Sequence, residues 1–233
     1  MKRSIPRSAF RIPNGSLCTT AGLRFPALLA CAALAILYAL PAVGIAGKFN
    51  RELSIGDPAP EWKGLVGTDD RQHALADYAN AKLIVLVFTC NHCPVATANQ
   101  ERLIALQKDY RDQSVRLIAI CCNPGEEDNL AAMQERARQR RYNFPYLYDA
   151  SQASGRAYGV RQTPTVFLLD RGRKVAYMGA IDDSWGDAAQ VERDYLRDAI
   201  DSLLAVQKVP IAETRPQGCE IPYLETKSDA SGR

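Results

Sequence analysis

The sequence predicts an α/β domain in which a central mixed β-sheet is flanked by helices, with a β-hairpin extension on its N-terminal side. Three observations point there. The unbroken apolar run Leu83 to Phe88 is followed by a segment whose Leu103, Leu106 and Tyr110 recur at helical spacing. A second apolar run, Val115 to Ile120, is followed by a segment carried by Leu130, Met133 and Ala137. Thr165 to Leu169 and Lys174 to Met178 flank the turn Asp170-Arg171-Gly172-Arg173, which predicts an antiparallel pair. Strands that alternate with helices in this way build a sheet covered on both faces.

In chain order, Leu53 to Tyr78 holds Gly56-Asp57-Pro58-Ala59-Pro60, then Leu65-Val66-Gly67 and the polar turn Thr68-Asp69-Asp70. These signals predict two short strands and a brief helix, packed as an extension on the main sheet. His73 lies here, and a lone exposed histidine reads as a surface residue. The first long helix is expected to open at Cys90. Glu126-Glu127-Asp128 are expected to begin the next one, their charges and the arginines Arg136, Arg138, Arg140 and Arg141 near its end suiting the helix dipole. Tyr146 to Tyr148 predicts a short strand and Ser151 to Tyr158 a short helix. The last helix is expected to start at Asp187, whose relation to Gln190 reads as a capping box, with a stripe of Val191, Tyr195, Leu196, Ala199, Ile200 and Leu203. From Pro210 onward prolines and polar residues predict a tail without its own core.

The 233 residues, 47% of them hydrophobic, suffice for one good-sized domain plus extensions. The net charge of +3 reflects mainly the leading segment, where Lys2, Arg3, Arg7, Arg11 and Arg24 precede any acid, and it gives no case for nucleic-acid binding. These basic residues stand before the uncharged run from Phe25 to Gly47, with small residues at Gly44 and Ala46. Residues 1–47 therefore read as a secretory signal peptide cleaved after Ala46, or as an N-terminal membrane anchor. Residues 48–209 form the expected working domain, and 210–233 the tail carrying Cys219. An extracytoplasmic location follows, periplasmic if the cell has an outer membrane. Outside the cytoplasm a retained cysteine usually pairs or does chemistry. Cys90, Cys93, Cys121, Cys122 and Cys219 remain beyond the leader, an odd number that leaves at least one thiol without an intramolecular partner.

The stretch Cys90-Asn91-His92-Cys93-Pro94 sits at the first strand-to-helix junction. Two thiols separated by two residues can close a small disulfide, and the free N–H groups of a helix start favour the thiolate. Half of a zinc site is the other use of such a pair, but no second Cys-x-x-Cys or His-x-x-x-His follows to complete four ligands. The pattern points to redox chemistry without a metal or other cofactor. Cys90 is expected to be the exposed nucleophile, Cys93 the resolving thiol, and His92 a group that stabilises the Cys90 thiolate when protonated. Cys121 and Cys122 end the second strand and read as packing residues. Cys219 is a possible accessory redox thiol.

Phe88-Thr89-Cys90-Asn91-His92-Cys93-Pro94 and the distant Thr163-Pro164 together resemble the thioredoxin-like superfamily, over Leu53 to about Val209. Gly56-Asp57-Pro58-Ala59-Pro60, His73-Ala74-Leu75-Ala76-Asp77-Tyr78 and the terminal Gly218-Cys219 are further similar to its redoxin and peroxiredoxin-like branch. The resemblance implies a thioredoxin-like fold, a cis bond at Thr163-Pro164 facing the active site, and a Thr163 backbone free to pair with a bound substrate chain. It implies a thiol:disulfide oxidoreductase whose partners are protein thiols and disulfides and a redox partner protein. Two departures bear on the alternatives. Aligning Cys93 with a peroxidatic cysteine puts Cys90 where threonine and Leu86 where proline belong, so peroxidase machinery is not visible. Ile84 stands where thioredoxin keeps a buried acid, which leaves the proton donor for Cys93 unassigned. A copper-binding assembly factor would use the soft Cys90 and Cys93 thiolates, but no histidine follows His92.

Overall fold

The protein is described by a computed structural model covering residues 47–225. The expectations about the leader therefore lie outside the described residues. The strands are β1 (Leu65–Gly67), β2 (Gln72–His73), β3 (Leu83–Phe88), β4 (Val115–Cys121), β5 (Tyr146–Tyr148), β6 (Gln162–Thr163), β7 (Thr165–Leu169), β8 (Val175–Gly179) and β9 (Cys219–Glu220). Seven of them form one mixed sheet in the order β2-β1-β5-β4-β3-β7-β8, and β6 pairs with β9 apart from it. β3 runs parallel to β4 and β4 to β5, while β7 returns antiparallel to β3 and β8 to β7. The N-terminal hairpin of β1 and β2 extends the sheet itself, because β1 pairs antiparallel with β5.

Every residue of β3 is buried, as an unbroken apolar run in the middle of a sheet requires. Its side chains alternate between two cores. Leu83, Val85 and Val87 pack with Leu103, Leu106, Leu196 and Ile200, whereas Ile84, Leu86 and Phe88 pack with Trp62, Tyr158 and Phe167. The helices are α1 (Pro94–Ala98), α2 (Gln100–Tyr110), α3 (Leu130–Arg140), α4 (Ala153–Ala157) and α5 (Tyr195–Leu204). Among the described residues no helix is long and apolar enough to cross a membrane.

Three helix starts fall later than expected, each for a local reason. Cys93, with φ −73° and ψ 121°, caps α1 from outside it, so both cysteines precede the helix. A residue before proline is driven out of the helical region, and Pro94 itself fits the first helical position. Glu126 to Asp128 form only a 3-10 turn, after which Asn129 caps α3 by accepting the Ala132 N–H at 2.9 Å. Asp187 likewise caps a single 3-10 turn, and α5 begins after Asp194, which accepts from the Arg197 N–H.

The C-terminal segment is not a loose tail. It lies along β8, where the Met178 N–H donates to Ala212 and the Thr214 N–H to Met178, both at 3.0 Å. It then turns across the sheet ends to β6. Ile221 is buried there, its N–H donating to the Arg161 carbonyl at 2.9 Å, and the Tyr223 hydroxyl donates to the Val160 carbonyl at 2.7 Å. Gln162 and Arg156 donate to the carbonyls of Pro216 and Leu224. A segment poor in apolar residues is thus held by main-chain pairing and borrowed burial.

Candidate redox site

The end of β3 aims Cys90 at the short β6 strand, which the cis Thr163–Pro164 peptide joins to β7. Cys90 Sγ lies 3.0 Å from Thr163 Oγ1, and Cys93 Sγ lies 3.2 Å from the Thr163 carbonyl oxygen. Cys90 and Cys93, from the β3-to-α1 junction, and Thr163, from β6, are therefore assembled from two segments around one point. The cysteines are free thiols.

Neither thiol is open to solvent. Cys90 is 1% exposed, Cys93 0% and Thr163 0%, which corrects the expectation that Cys90 is exposed. The cover is the chain's own C-terminal strand. β9 pairs antiparallel with β6, Thr163 opposite Cys219 and Gln162 opposite Glu220, so the Thr163 backbone expected to be free for a substrate is already occupied. Gly218 makes this approach feasible, because a Cβ there would stand 2.6 Å from the Thr163 carbonyl carbon and overlap its oxygen.

The thiol of Cys219 also reaches Cys93. In the reduced site Cys93 is pulled down to about 4, first by the hydrogen bond donated from Cys90 and then by that from Cys219, against the opposing effect of burial. Cys90 is correspondingly pushed up, by donating its proton to Cys93, by burial and by the nearby Asp128 carboxylate, with the Thr163 hydroxyl opposing. Cys219 rises to about 11 because its proton is engaged by Cys93. The negative charge of the closed, reduced site thus rests on Cys93, at the cap of α1, where helical N–H groups converge.

His92 is exposed and donates through Nδ1 to the Asp128 carboxylate, the two forming an ion pair when the ring is protonated. Asp128 is 2% exposed and also accepts the Asn91 N–H at 2.6 Å. Sequence reasoning placed this acid on a helix turn and missed its role. Three consecutive acids carry no signal of which one turns inward, and the left-handed Gly125 (φ 120°) that redirects the chain was the only available hint. Cys90, His92 and Asp128 offer ligand atoms within 4.8 Å of one another. They could hold a metal ion, but three donors leave a tetrahedral site incomplete and two of them are bound to each other.

Cys121 and Cys122 are buried and both are raised by desolvation, Cys122 to about 12, as packing thiols are. Cys122 contacts the Tyr223 hydroxyl and so helps seat the C-terminal segment. His73, expected to be exposed, is instead half-buried, because it bonds Asp69 in the β1–β2 turn and Tyr78 at the end of the 3-10 turn that follows β2.

The AhpC/TSA family model matches residues 55–178, ending before the strand that covers the site. A thiol-disulfide oxidoreductase ResA of Geobacillus thermodenitrificans is 31% identical over 124 residues, which is 53% of this chain and 67% of that protein. Two solved structures share the fold at a TM-score of 0.71. A hypothetical protein of Sinorhizobium meliloti 1021 is 29% identical and covers 76% of this chain, matched over 98% of its own. An uncharacterized conserved protein of Geobacillus kaustophilus is 32% identical and likewise covers 76%, matched over 96% of its own length.

Proposed function

Because the chain belongs to the AhpC/TSA family, we propose that it is a thiol:disulfide oxidoreductase that exchanges disulfides with protein substrates through the Cys90/Cys93 couple. The observation that carries this reading is the pair itself: two buried thiols sharing a proton at a helix start, against the loop of a cis proline. One sulfur attacks a disulfide, a mixed disulfide forms, and the second sulfur releases the partner. Thr163 positions both sulfurs through its hydroxyl and carbonyl. The His92–Asp128 pair, within 4.8 Å of Cys90 Sγ, is the group placed to take and return the Cys90 proton. Residues 1–47 support an extracytoplasmic setting for this exchange, as signal peptide or membrane anchor.

Glutathione-buffered equilibration tests the reading. The Cys90–Cys93 couple should titrate as a two-electron disulfide above thioredoxin's roughly −270 mV, near about −200 mV. In lysates, Cys93→Ala and Cys90→Ala should differ in the partner proteins they hold as mixed disulfides. Absence of any Cys90–Cys93 disulfide across the buffer range refutes the function.

A peroxidase is the second reading, favoured by the low-lying Cys93 thiolate, since peroxide reduction needs one. Cys90 and Leu86 at the positions for threonine and proline oppose it. Peroxide turnover is expected to be weak beside disulfide exchange, and a rapid saturable oxidation of the Cys90→Ala variant by peroxide would reverse the order.

A further inference from the structure

The reduced site poses an access problem. Cys90 and Cys93 are sealed, and Cys219, lying over them, is the described cysteine with partial exposure. We propose that Cys219 is a third redox cysteine that receives the disulfide from the sealed pair as a Cys93–Cys219 bond and presents it to partner proteins. The proposal rests on the exchange activity of the Cys90/Cys93 couple.

Geometry carries it. The β6–β9 register sets Cys219 opposite Thr163, the same residue whose hydroxyl contacts Cys90 and whose carbonyl contacts Cys93. Cys219 also packs against the core cluster that contains both cysteines. Main-chain pairing on both sides of Cys219, with the glycine that permits it at Gly218, holds that sulfur in place. A merely unreactive thiol needs no such seating. The raised pKa of Cys219 comes first from donating to the Cys93 thiolate. Once Cys93 is bonded to Cys90 that thiolate is gone, and Cys219 is released to ionise.

The steps balance. In the oxidised domain the Cys219 thiolate attacks the Cys93 sulfur; the Cys93–Cys219 bond forms as the Cys90–Cys93 bond breaks. The electron pair leaves on Cys90, which takes up the proton that Cys219 gave away. The number of disulfides is unchanged, so no outside oxidant or reductant enters. A partner's thiolate then attacks Cys219 and expels Cys93, the better leaving group because its thiolate is the more stable. A second thiol of that partner releases Cys219, and the partner leaves with the disulfide. Run backwards, the same steps reduce a partner.

The test uses full-length protein, wild type and the variants Cys90→Ser and Cys219→Ser, equilibrated with glutathione disulfide, acid-quenched and mapped by non-reducing peptide mass spectrometry. Transfer to a synthetic peptide with two cysteines is timed in parallel. The relay requires an intramolecular Cys93–Cys219 disulfide in Cys90→Ser. It also requires Cys219→Ser to form the Cys90–Cys93 disulfide yet transfer it at least about tenfold more slowly. Alkylation of the reduced pair at the wild-type rate in Cys219→Ser shows that the strand still docks, so the slow transfer reports chemistry. Glutathione adducts alone in Cys90→Ser, or wild-type transfer by Cys219→Ser, overturns the relay while the Cys90/Cys93 function stands. No Cys90–Cys93 disulfide in wild type or Cys219→Ser removes the function and the relay together.

Discussion

At the scale of single residues, the charge on Cys93 has a thermodynamic consequence. Its pKa is about 4 in the reduced fold against an ordinary 9.0. A lowered value stabilises the fold fully above the unfolded value, and the stabilisation is lost as pH falls through the folded one. Cys90 is raised, so its contribution is present below about 9 and lost above it. The reduced protein should therefore gain urea resistance relative to Cys93→Ala between about pH 5 and about pH 8. Paired urea titrations check this, and a constant difference across that interval would place the charge elsewhere. Asp128 and His92 supply a second residue-scale prediction. The carboxylate raises Cys90 and so opposes the spread of negative charge from Cys93 onto the pair; Asp128→Asn should therefore stabilise the reduced pair and raise its potential, whereas His92→Ala leaves the carboxylate uncompensated and should lower it. Shifts of a few tens of millivolts are expected, since about 30 mV corresponds to about 1.4 kcal/mol for two electrons. Glutathione-buffered titration of both variants measures them, and shifts of the same sign would break the pairing argument.

At the scale of elements, the decisive one is the two-residue strand β9, held by its register against β6 and by the groups that follow it. Gly218→Ala drives a methyl into the Thr163 carbonyl, a contact the two paired backbones cannot relax. The strand should lift, and alkylation of Cys90 and Cys93 should accelerate at least about tenfold while the sheet stays folded. Ile221→Ala reaches the same strand through packing. Its side chain is buried in the core shared with Tyr158 and Phe167, so truncation should cost about 2 kcal/mol or more and also open the site. Urea midpoints and alkylation rates read together separate the two variants: Gly218→Ala acts mainly on access, Ile221→Ala on both. Unchanged alkylation in both would mean that β9 is not the cover.

At the scale of the whole molecule, both hydrophobic cores are built, among the described residues, from side chains between Leu53 and Ile221. A protein starting at Lys48 should fold cooperatively and retain the proposed Cys90/Cys93 couple, since the described sheet and its covering strand are all within it. Circular dichroism and a glutathione titration of that shortened chain check the expectation, and insolubility without residues 1–46 would make the leader part of the fold. Removing residues 210–233 as well should be far less benign, because Met178, Thr163 and Arg161 would each lose a main-chain partner.

The sequence by itself determined the elements whose signal is local and periodic. Leu83–Phe88 is a strand because an unbroken apolar run of that length is buried on both faces, Val115–Cys121 repeats the pattern with Arg116 alone exposed, and Leu196, Ala199 and Ile200 mark a helix face by their spacing. The cysteine pair at the strand-to-helix junction and the Thr163-Pro164 dipeptide were legible as motifs. Even the late helix start was available in principle, in the constraint Pro94 imposes on Cys93. Only the tertiary structure decided the rest: which of three adjacent acids turns inward to His92, and that Cys219 pairs with Thr163 and closes the site. Pairing two residues of β9 with two of β6 has no periodicity to display, and a single buried carboxylate resembles an exposed one in sequence. Both depend on which distant backbone groups remain unsatisfied once the sheet has formed, a condition that exists only in the folded chain.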